Sequence, residues 1–420
     1  MSDSFQQKLS WRSNFYLIFI GQFVSGLTTM IVQYAFMWYI TAVLKSATAL
    51  SMSTLVMFLP WIFLAPFAGV VIDRWSRKVI MISMDLMAAL VAIIISITIG
   101  QFAGNALLTL LLIAIFVRAV TQVFQQPTLN TIVPAIVPTE QLTKINGQIQ
   151  TLQSLTMVIA PGISAVLFGL MSIQWIILLD VIGAIFGSAT ILLARVPKPT
   201  AQEEQVSFFK NFGLGLVALA QHRGIFQYSL LSLVAITLIM PGASLYPLMT
   251  TQHFNGTIGQ AGIVETVWSV GSLLGGLYIS IRGAGKNRFY AIFLGLLLLG
   301  LSFTVFAFLP GTPVGFWIFA SLNIIAGFAL AFMNSPFIAI VQEQIPAETM
   351  GRVMSVLAAL TNIGAPVGLM FAGPLADNFG ITRLFLLAGV GTLLVTLAAV
   401  ILPAVRKIDE KTDNKKTALD

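Results

Sequence analysis

Cysteine is absent from this 420-residue chain, which excludes a disulfide framework, a thiolate nucleophile and a cysteine-ligated metal. Histidine is nearly absent. Only His222 and His253 occur, too few for a histidine-rich metal site, and there is no HExxH pair. Charge is the third shortage: Asp, Glu, Lys and Arg make up 9% of the chain, against roughly 25% in an ordinary soluble domain. The charged surface that a soluble protein of this length needs is therefore missing. Disorder is excluded for the opposite reason, since it requires low hydrophobicity and high charge. A nucleotide-binding loop is also lacking, because Gly283-Ala284-Gly285-Lys286-Asn287 has neither the spacing nor the Ser or Thr. No enzyme chemistry, cofactor or metal is expected.

What is abundant is apolar. Hydrophobic residues make up 57% of the chain, with 31 Phe and 34 Gly. At about 20 apolar residues per span, the chain can hold around a dozen spans joined by short loops. The net charge of +7 would suggest nucleic acid in a soluble protein, but here it records where the cytoplasmic loops lie. No nucleic-acid partner is expected.

Apolar runs set against polar breaks predict twelve spans, near residues 15–39, 50–72, 79–100, 106–126, 146–170, 174–194, 225–249, 258–281, 289–309, 314–340, 353–376 and 381–403. Residues 2–13 are polar and the first span is too long for a signal-peptide core, so the N-terminus is expected to be uncleaved. With that terminus inside, 19 of the 22 Lys and Arg fall on the cytoplasmic side. Only Lys45 and Arg383 fall outside, and Arg118 lies within a span. The positive-inside rule then places both termini in the cytoplasm.

The longest polar stretch between spans, residues 195–223, carries Pro197, Pro199 and Glu203-Glu204 and reads as a linker. It divides the chain into a six-helix bundle at 1–194 and a second at 224–404, followed by a charged tail at 405–420 expected to be disordered. Ile132-Val133, Pro138 and Glu140 recur as Ile340-Val341, Pro346 and Glu348, at an offset of 208. Parallel duplication of a six-span unit is a pattern of secondary transporters.

After span two the chain reads Gly69-Val-Val-Ile-Asp73-Arg74-Trp-Ser-Arg77-Lys78. Here Gly69 is expected to let two helices approach closely, and Asp73 to meet Arg74, Arg77 and Lys78 in a conformational-switch network. This loop resembles the signature of the major facilitator superfamily, at the position where that family carries it. Its counterpart from Gly276 to Arg288 has Ser280 where the acid would be. Gly21-Gln22, Leu59-Pro60, Asp180, Glu265 ahead of Gly271, Gly351-Arg352-Val353 and Gly373-Pro374-Leu375-Ala376-Asp377 are similar to the branch containing macrolide-efflux proteins and the enterobactin exporter. The resemblance implies an all-α integral membrane protein with twelve helices in two parallel-repeat bundles. Two motifs depart from the family pattern. Arg118 is followed by Gln122 at i+4 where a Gly is usual. Around Gly147 and Ala160-Pro161, Thr156, Ser164 and Ala165 replace the glycines of the fifth-span antiporter motif.

A charge at the bilayer centre costs on the order of 2.5–3.5 kcal/mol by insertion scales, so each embedded one requires a reason. Arg118, with Gln122 and Gln125 on the same helical face, is expected either to line a cavity and meet an anionic group, or to tie backbone carbonyls. Glu265, Asp180 and Asp85 are candidate proton carriers. Burial favours the protonated acid and a neighbouring cation its release. The structural alternative for Glu265 and Asp180 is a satisfied carboxylate joining helices. For Asp85, pairing with Arg74 or Arg77 is the favoured reading.

Span one carries Gln22, Ser25, Thr29 and Gln33 at helical spacing with Gly26 adjacent, a face turned away from lipid. It is either cavity wall or helix contact. Tyr34 and Trp38 extend it, and Phe58, Trp61, Tyr246, Trp268 and Phe332 are further aromatic candidates for a binding surface. Pro241 and Pro247 are expected to break span seven at a hinge, and Gly147 and Pro161 to serve packing in span five. Gly183/Gly187 and Gly271/Gly275 form small-xxx-small pairs for close helix contact.

These features together predict a proton-coupled antiporter in a bacterial cell (inner) membrane. It would expel bulky amphiphilic compounds such as macrolides by alternating access. The expected partners are a small amphiphilic molecule, protons and membrane lipid, with the chain a monomer. Competing readings are a symporter importing a small nutrient, a siderophore exporter and a non-transporting receptor.

Overall fold

A bilayer core offers no water to backbone N–H and C=O groups, so a chain with these apolar runs must satisfy them within helices. The computed structural model, which describes residues 10–197, 208–285 and 287–410, contains twelve helices long and apolar enough to cross a membrane among those residues. The predicted order holds throughout. Three spans are longer than their apolar cores: span four is Gly104–Ile136, span ten Pro313–Gln344 and span eleven Ala347–Phe379. At about 1.5 Å per residue, the 33 residues of span four run roughly 50 Å, beyond the ~30 Å hydrocarbon layer. The sequence reading closed span four at residue 126 because Gln125, Gln126 and Pro127 interrupt the apolar run. The helix nevertheless continues through Pro127 and Pro134.

Breaks occur where local chemistry requires them. Span one, Trp11–Tyr39, widens into a π-helix at Ile40–Leu44 and stops at Lys45, whose φ of 50° is left-handed. Span six is two pieces, Ile173–Ile177 and Leu179–Leu193, with Asp180 in the first turn of the second. A carboxylate there meets the positive end of the helix dipole. Span seven runs Arg223–Ser244, pauses at Leu245 and resumes at Tyr246–Leu248 before a π turn at Met249–His253. Pro241 and Pro247 flank that pause, as their missing N–H groups dictate.

The chain divides into two compact units, Met1–Gln205 with Thr257–Thr266, and Val206–Gly256 with Val267–Asp420. In the first, span one packs on spans five and six, span three lies against four and six, and span two against four. The second repeats these pairings: seven with eleven and twelve, nine with ten and twelve. The sequence repeat falls on matching joints. Pro138 (φ −56°, ψ 143°) precedes the helical turn with Glu140, and Pro346 (φ −59°, ψ 143°) precedes that with Glu348.

Two expectations about the linker and the tail are corrected. Within 195–223 lies a helix, Phe208–Gln221, which packs on span eleven; a Cβ on Gly215 would sit 2.6 Å from the Arg352 carbonyl oxygen. Prolines and acids mark only the first half of this linker, whereas its second half is apolar. The tail is ordered as far as residue 410, with a short helix at Pro403–Arg406. There Val405 and Ile408 are buried. The Asp409 carboxylate accepts the Arg288 N–H (2.7 Å) at the start of span nine, and the Arg288 guanidinium donates to Glu343 (2.7 Å). Residues 411–420 lie outside the described residues.

Candidate functional site

The polar stripe of span one faces a cavity of about 310 Å³ within the first unit. Span one supplies Gln22, Ser25 and Thr29, span four Gln122, Gln125 and Gln126, and span five Gln153 and Thr156. Phe19, Phe23, Met30, Leu129, Leu152 and Met157 fill the spaces between them. The lining holds five glutamine side chains and no charged one. Uncharged amides both donate and accept hydrogen bonds, so this wall suits a bulky molecule carrying oxygens on an apolar body. Gln126 and Gln153 were missed in the sequence. The polar start of span five, Gln148, Gln150 and Gln153, was the available signal.

The embedded charges gather beside this cavity, in the core between spans one, three, four and six. Arg118 is 3% exposed and Asp180 likewise 3%. Arg118 Nη1 pairs with Asp180, Nη2 donates to the Thr29 carbonyl (2.9 Å), and the guanidinium lies 5.5 Å from the centre of the Phe36 ring. Of the two expectations for Arg118 the backbone tie is present, and its anionic partner is a carboxylate of the protein itself. Arg118 does not line the large cavity. Asp180 stands in the first turn of a helix segment that packs on spans one and three, where the Arg118 guanidinium of span four meets it.

Asp85 is corrected. At 2% exposure, it meets neither Arg74 nor Arg77. It accepts hydrogen bonds from Gln125 Nε2 (2.5 Å), Ser188 Oγ (3.3 Å) and Ser25 Oγ (3.5 Å). The pairing expected from chain proximity fails because the helical position of Asp85 turns it inward, toward spans one, four and six. The expected Gly183/Gly187 contact makes this possible. A Cβ on Gly183 would fall on Thr28, and one on Gly187 would stand 3.0 Å from Asp85 Oδ2. Asp85, Arg118, Asp180, Gln125, Ser25 and Thr29 share a second pocket of only about 10 Å³. Ser25, Thr29 and Gln125 line both spaces.

Glu265 lies elsewhere, on the stretch of span eight that belongs to the first unit. It is half-buried and interacts electrostatically with Tyr34. One turn away, Gly262 packs on Ala165 and Thr266 approaches Gly162, the residue after Pro161. Span five is also tied to span one by Ser164, which donates to the Ile31 carbonyl (2.8 Å). Gly147 has nothing within 4 Å of the place its Cβ would take.

Several aromatic candidates prove to be packing. Trp38 is 0% exposed, under the stacked Tyr34 ring and against Ala165 and Ala261. In the second unit, the Tyr246 ring is the centre of a cluster with Trp268, Phe303, Phe306, Phe319 and Phe385, at 5.6–6.3 Å. Phe332 is 7% exposed and stacks on Phe328. Tyr34, Trp38, Gln33 and Trp268 are not among the cavity-lining residues. Large apolar rings find more area against each other than in a wet wall.

In the loop after span two, the Asp73 side chain lies outside the described residues. Arg74 is exposed. Lys78 reaches across to cap span six, donating to the carbonyls of Leu192 (2.6 Å) and Ala194 (3.1 Å). Nothing among the described residues lies within 4 Å of a Cβ on Gly69, so the close approach expected there is not formed. Beside this cap, the Asn14 side chain takes both backbone groups of Arg195, at 2.8 and 2.7 Å.

A family model for the Major Facilitator Superfamily matches residues 18–242 and 228–419. The chain is 33% identical over 404 residues to the macrolide efflux protein A of Streptococcus pyogenes, covering 96% of this chain and 99% of that one. It is 25% identical to the multidrug efflux pump Tap of Mycolicibacterium fortuitum, covering 94% and 96%. In fold it is similar to the crystal structure of the nucleoside transporter NupG (TM-score 0.68, 15% identity, 92% and 98% covered). It is also similar to a bacterial homolog of the human lysosomal transporter Spinster (TM-score 0.71, 13% identity, 96% and 97% covered). With twelve spans and embedded charges among the described residues, the chain belongs to the Major Facilitator Superfamily and is a multi-pass membrane transporter.

Proposed function

We propose that this transporter expels bulky, largely uncharged amphiphilic compounds such as macrolides, in exchange for protons and by alternating access. The observation that carries the reading is the charge-free, glutamine-lined cavity of the first unit. It offers hydrogen bonds to lactone, hydroxyl and ether oxygens and apolar contact to a ring skeleton, without a fixed charge to select a small ion. A siderophore or a small anionic nutrient would be better served by basic residues in the wall, and the lining contains none. The printed names of the relatives at 33% and 25% identity agree with export. Protons enter the proposal through Glu265, Asp180 and Asp85, the embedded carboxylates, each proton crossing with about 2.3 kcal/mol per 100 mV.

Accumulation of a radiolabelled macrolide in inverted vesicles tests this. Uptake should require an acid-inside gradient and stop with a protonophore. Gln122→Leu and Gln153→Leu should each weaken apparent affinity by up to about tenfold, the worth of one lost hydrogen bond of ~0.5–1.5 kcal/mol. Uptake indifferent to the gradient would refute the coupling.

Both termini are proposed to be cytoplasmic, on the 19-to-2 distribution of basic residues. The native absence of cysteine makes the check direct. A membrane-impermeant thiol reagent should label Lys407→Cys only in inverted vesicles and Thr257→Cys only in intact cells, and the opposite pattern would reverse the topology.

A further inference from the structure

We propose that Asp85 is the proton-binding carboxylate of this transporter and that Gln125 conveys its protonation state to the cavity wall. The inference rests on the export reading above and refines it. Three charged side chains share the small pocket between spans one, three, four and six: Arg118, Asp180 and Asp85. From span one it is faced by Ser25, from span four by Gln125 and Arg118, and from span six by Ser188 and Asp180. No other titratable group lines it among the described residues. One guanidinium therefore stands against two carboxylates, and one negative charge is left over where charge is expensive.

Asp180 is engaged by the Arg118 pair. The surplus falls on Asp85, whose hydrogen-bond partners are all neutral. A space of about 10 Å³ is at the lower bound for one water, so a proton is the neutralising species that fits. The surroundings also accommodate both charge states. Ser25 and Ser188 present hydroxyls, which donate to a carboxylate and turn to accept from the acid.

Gln125 supplies the link to the substrate. Its amide donates to Asp85, while the same side chain lines the large cavity. With Asp85 charged, the amide is held against the wall and the cavity is open to substrate. With Asp85 protonated the bond weakens, and Gln125 is released into the space the substrate occupies. Proton and substrate then exclude each other, which is the requirement of exchange.

The test uses the full chain purified in detergent. Without any substrate, the infrared difference spectrum between acid and neutral pH should show a protonated-carboxyl band. That band should be absent in Asp85→Asn, retained in Asp85→Glu and Glu265→Gln, and moved to more acid pH in Asp180→Asn, where Arg118 is left with Asp85 as its one carboxylate. The Asn carbonyl oxygen can accept from Gln125 and Ser25 while its amide N–H donates to the Ser188 hydroxyl oxygen, so loss of fold is not the expected result, and a thermal melt checks it. Equilibrium binding of radiolabelled erythromycin should weaken by about tenfold per pH unit on the acid side, as one-proton linkage requires. In Asp85→Asn it should not depend on pH. In Gln125→Leu the band should persist while the pH dependence of binding is lost. A band that survives in Asp85→Asn and disappears in Glu265→Gln overturns the proposal. Absence of erythromycin binding with the band still mapped to Asp85 supports the proton site and counts against the macrolide reading instead.

Discussion

Arg118→Ala is expected to be the most destabilising substitution in the polar core, at about 3–5 kcal/mol, the usual cost of removing one partner of a buried ion pair. It leaves Asp180 and Asp85 in the same small pocket with no cation and deprives the Thr29 carbonyl of its donor. Asp180→Ala should cost less, because Asp85 remains in the pocket as a counterion and restores the balance of one charge to one. The double variant Arg118→Met with Asp180→Leu should recover much of the loss, since an apolar pair carries no desolvation penalty. Thermal stability of purified protein in detergent gives the ranking. Additive losses in the double variant, or a larger loss in Asp180→Ala than in Arg118→Ala, would show that the pair is not the unit described.

Gly327→Leu is expected to prevent the protein from accumulating in the membrane. A Cβ at Gly327 would fall on the Trp268 carbonyl and 2.9 Å from the Ser272 nitrogen, while Gly271 and Gly275 press in the same way on Ile324 and Phe328. Spans eight and ten thus interlock backbone against backbone through three glycines, the contact that drives helix association in lipid where no hydrophobic effect is available. Ordinary overpacking costs about 1–3 kcal/mol because side chains move aside. Here the obstacle is main chain, so the helices themselves must separate. Gly276→Leu is the control, next to Gly275 on the same helix with nothing within 4 Å of its Cβ. It should express normally. Equal loss in both variants would show that the interlock is not what sets Gly327 apart, since leucine is the better helix former at either position.

The Gly271/Gly275 pair illustrates what could be read directly. Small residues four apart in an apolar run mean close helix contact, whatever the partner. The partner, Gly327, was not legible, because nothing in the chain links residue 327 to residue 271 before the helices pack. The same division holds at the site. Gln22 and Thr29 were found because their spacing alone turns them away from lipid, and Gln122 because it shares a helical face with Arg118. Gln153 was missed because the polar start of span five, Gln148 and Gln150 included, reads equally well as a helix end at the membrane surface. Trp38 and Trp268 were misjudged because an aromatic in a span reads identically whether it borders a cavity or fills a core. Asp85 was assigned to the nearest arginines along the chain, whereas its partners stand 60, 40 and 103 residues away.

By itself the sequence determined the medium and the scaffold. With charges so scarce and cysteine absent, the chain could be nothing but a polytopic membrane protein, and hydropathy with the offset repeat placed twelve spans and their duplication. Those are properties of composition and period, which survive any packing. Only the tertiary structure decided that Arg118, Asp180 and Asp85 share one small pocket, that Gln125 joins it to the cavity, and which aromatics are wall or core. The physical reason is that an embedded charge is defined by its neighbours. Its cost can be computed from one residue, but its role belongs to the three helices that close around it.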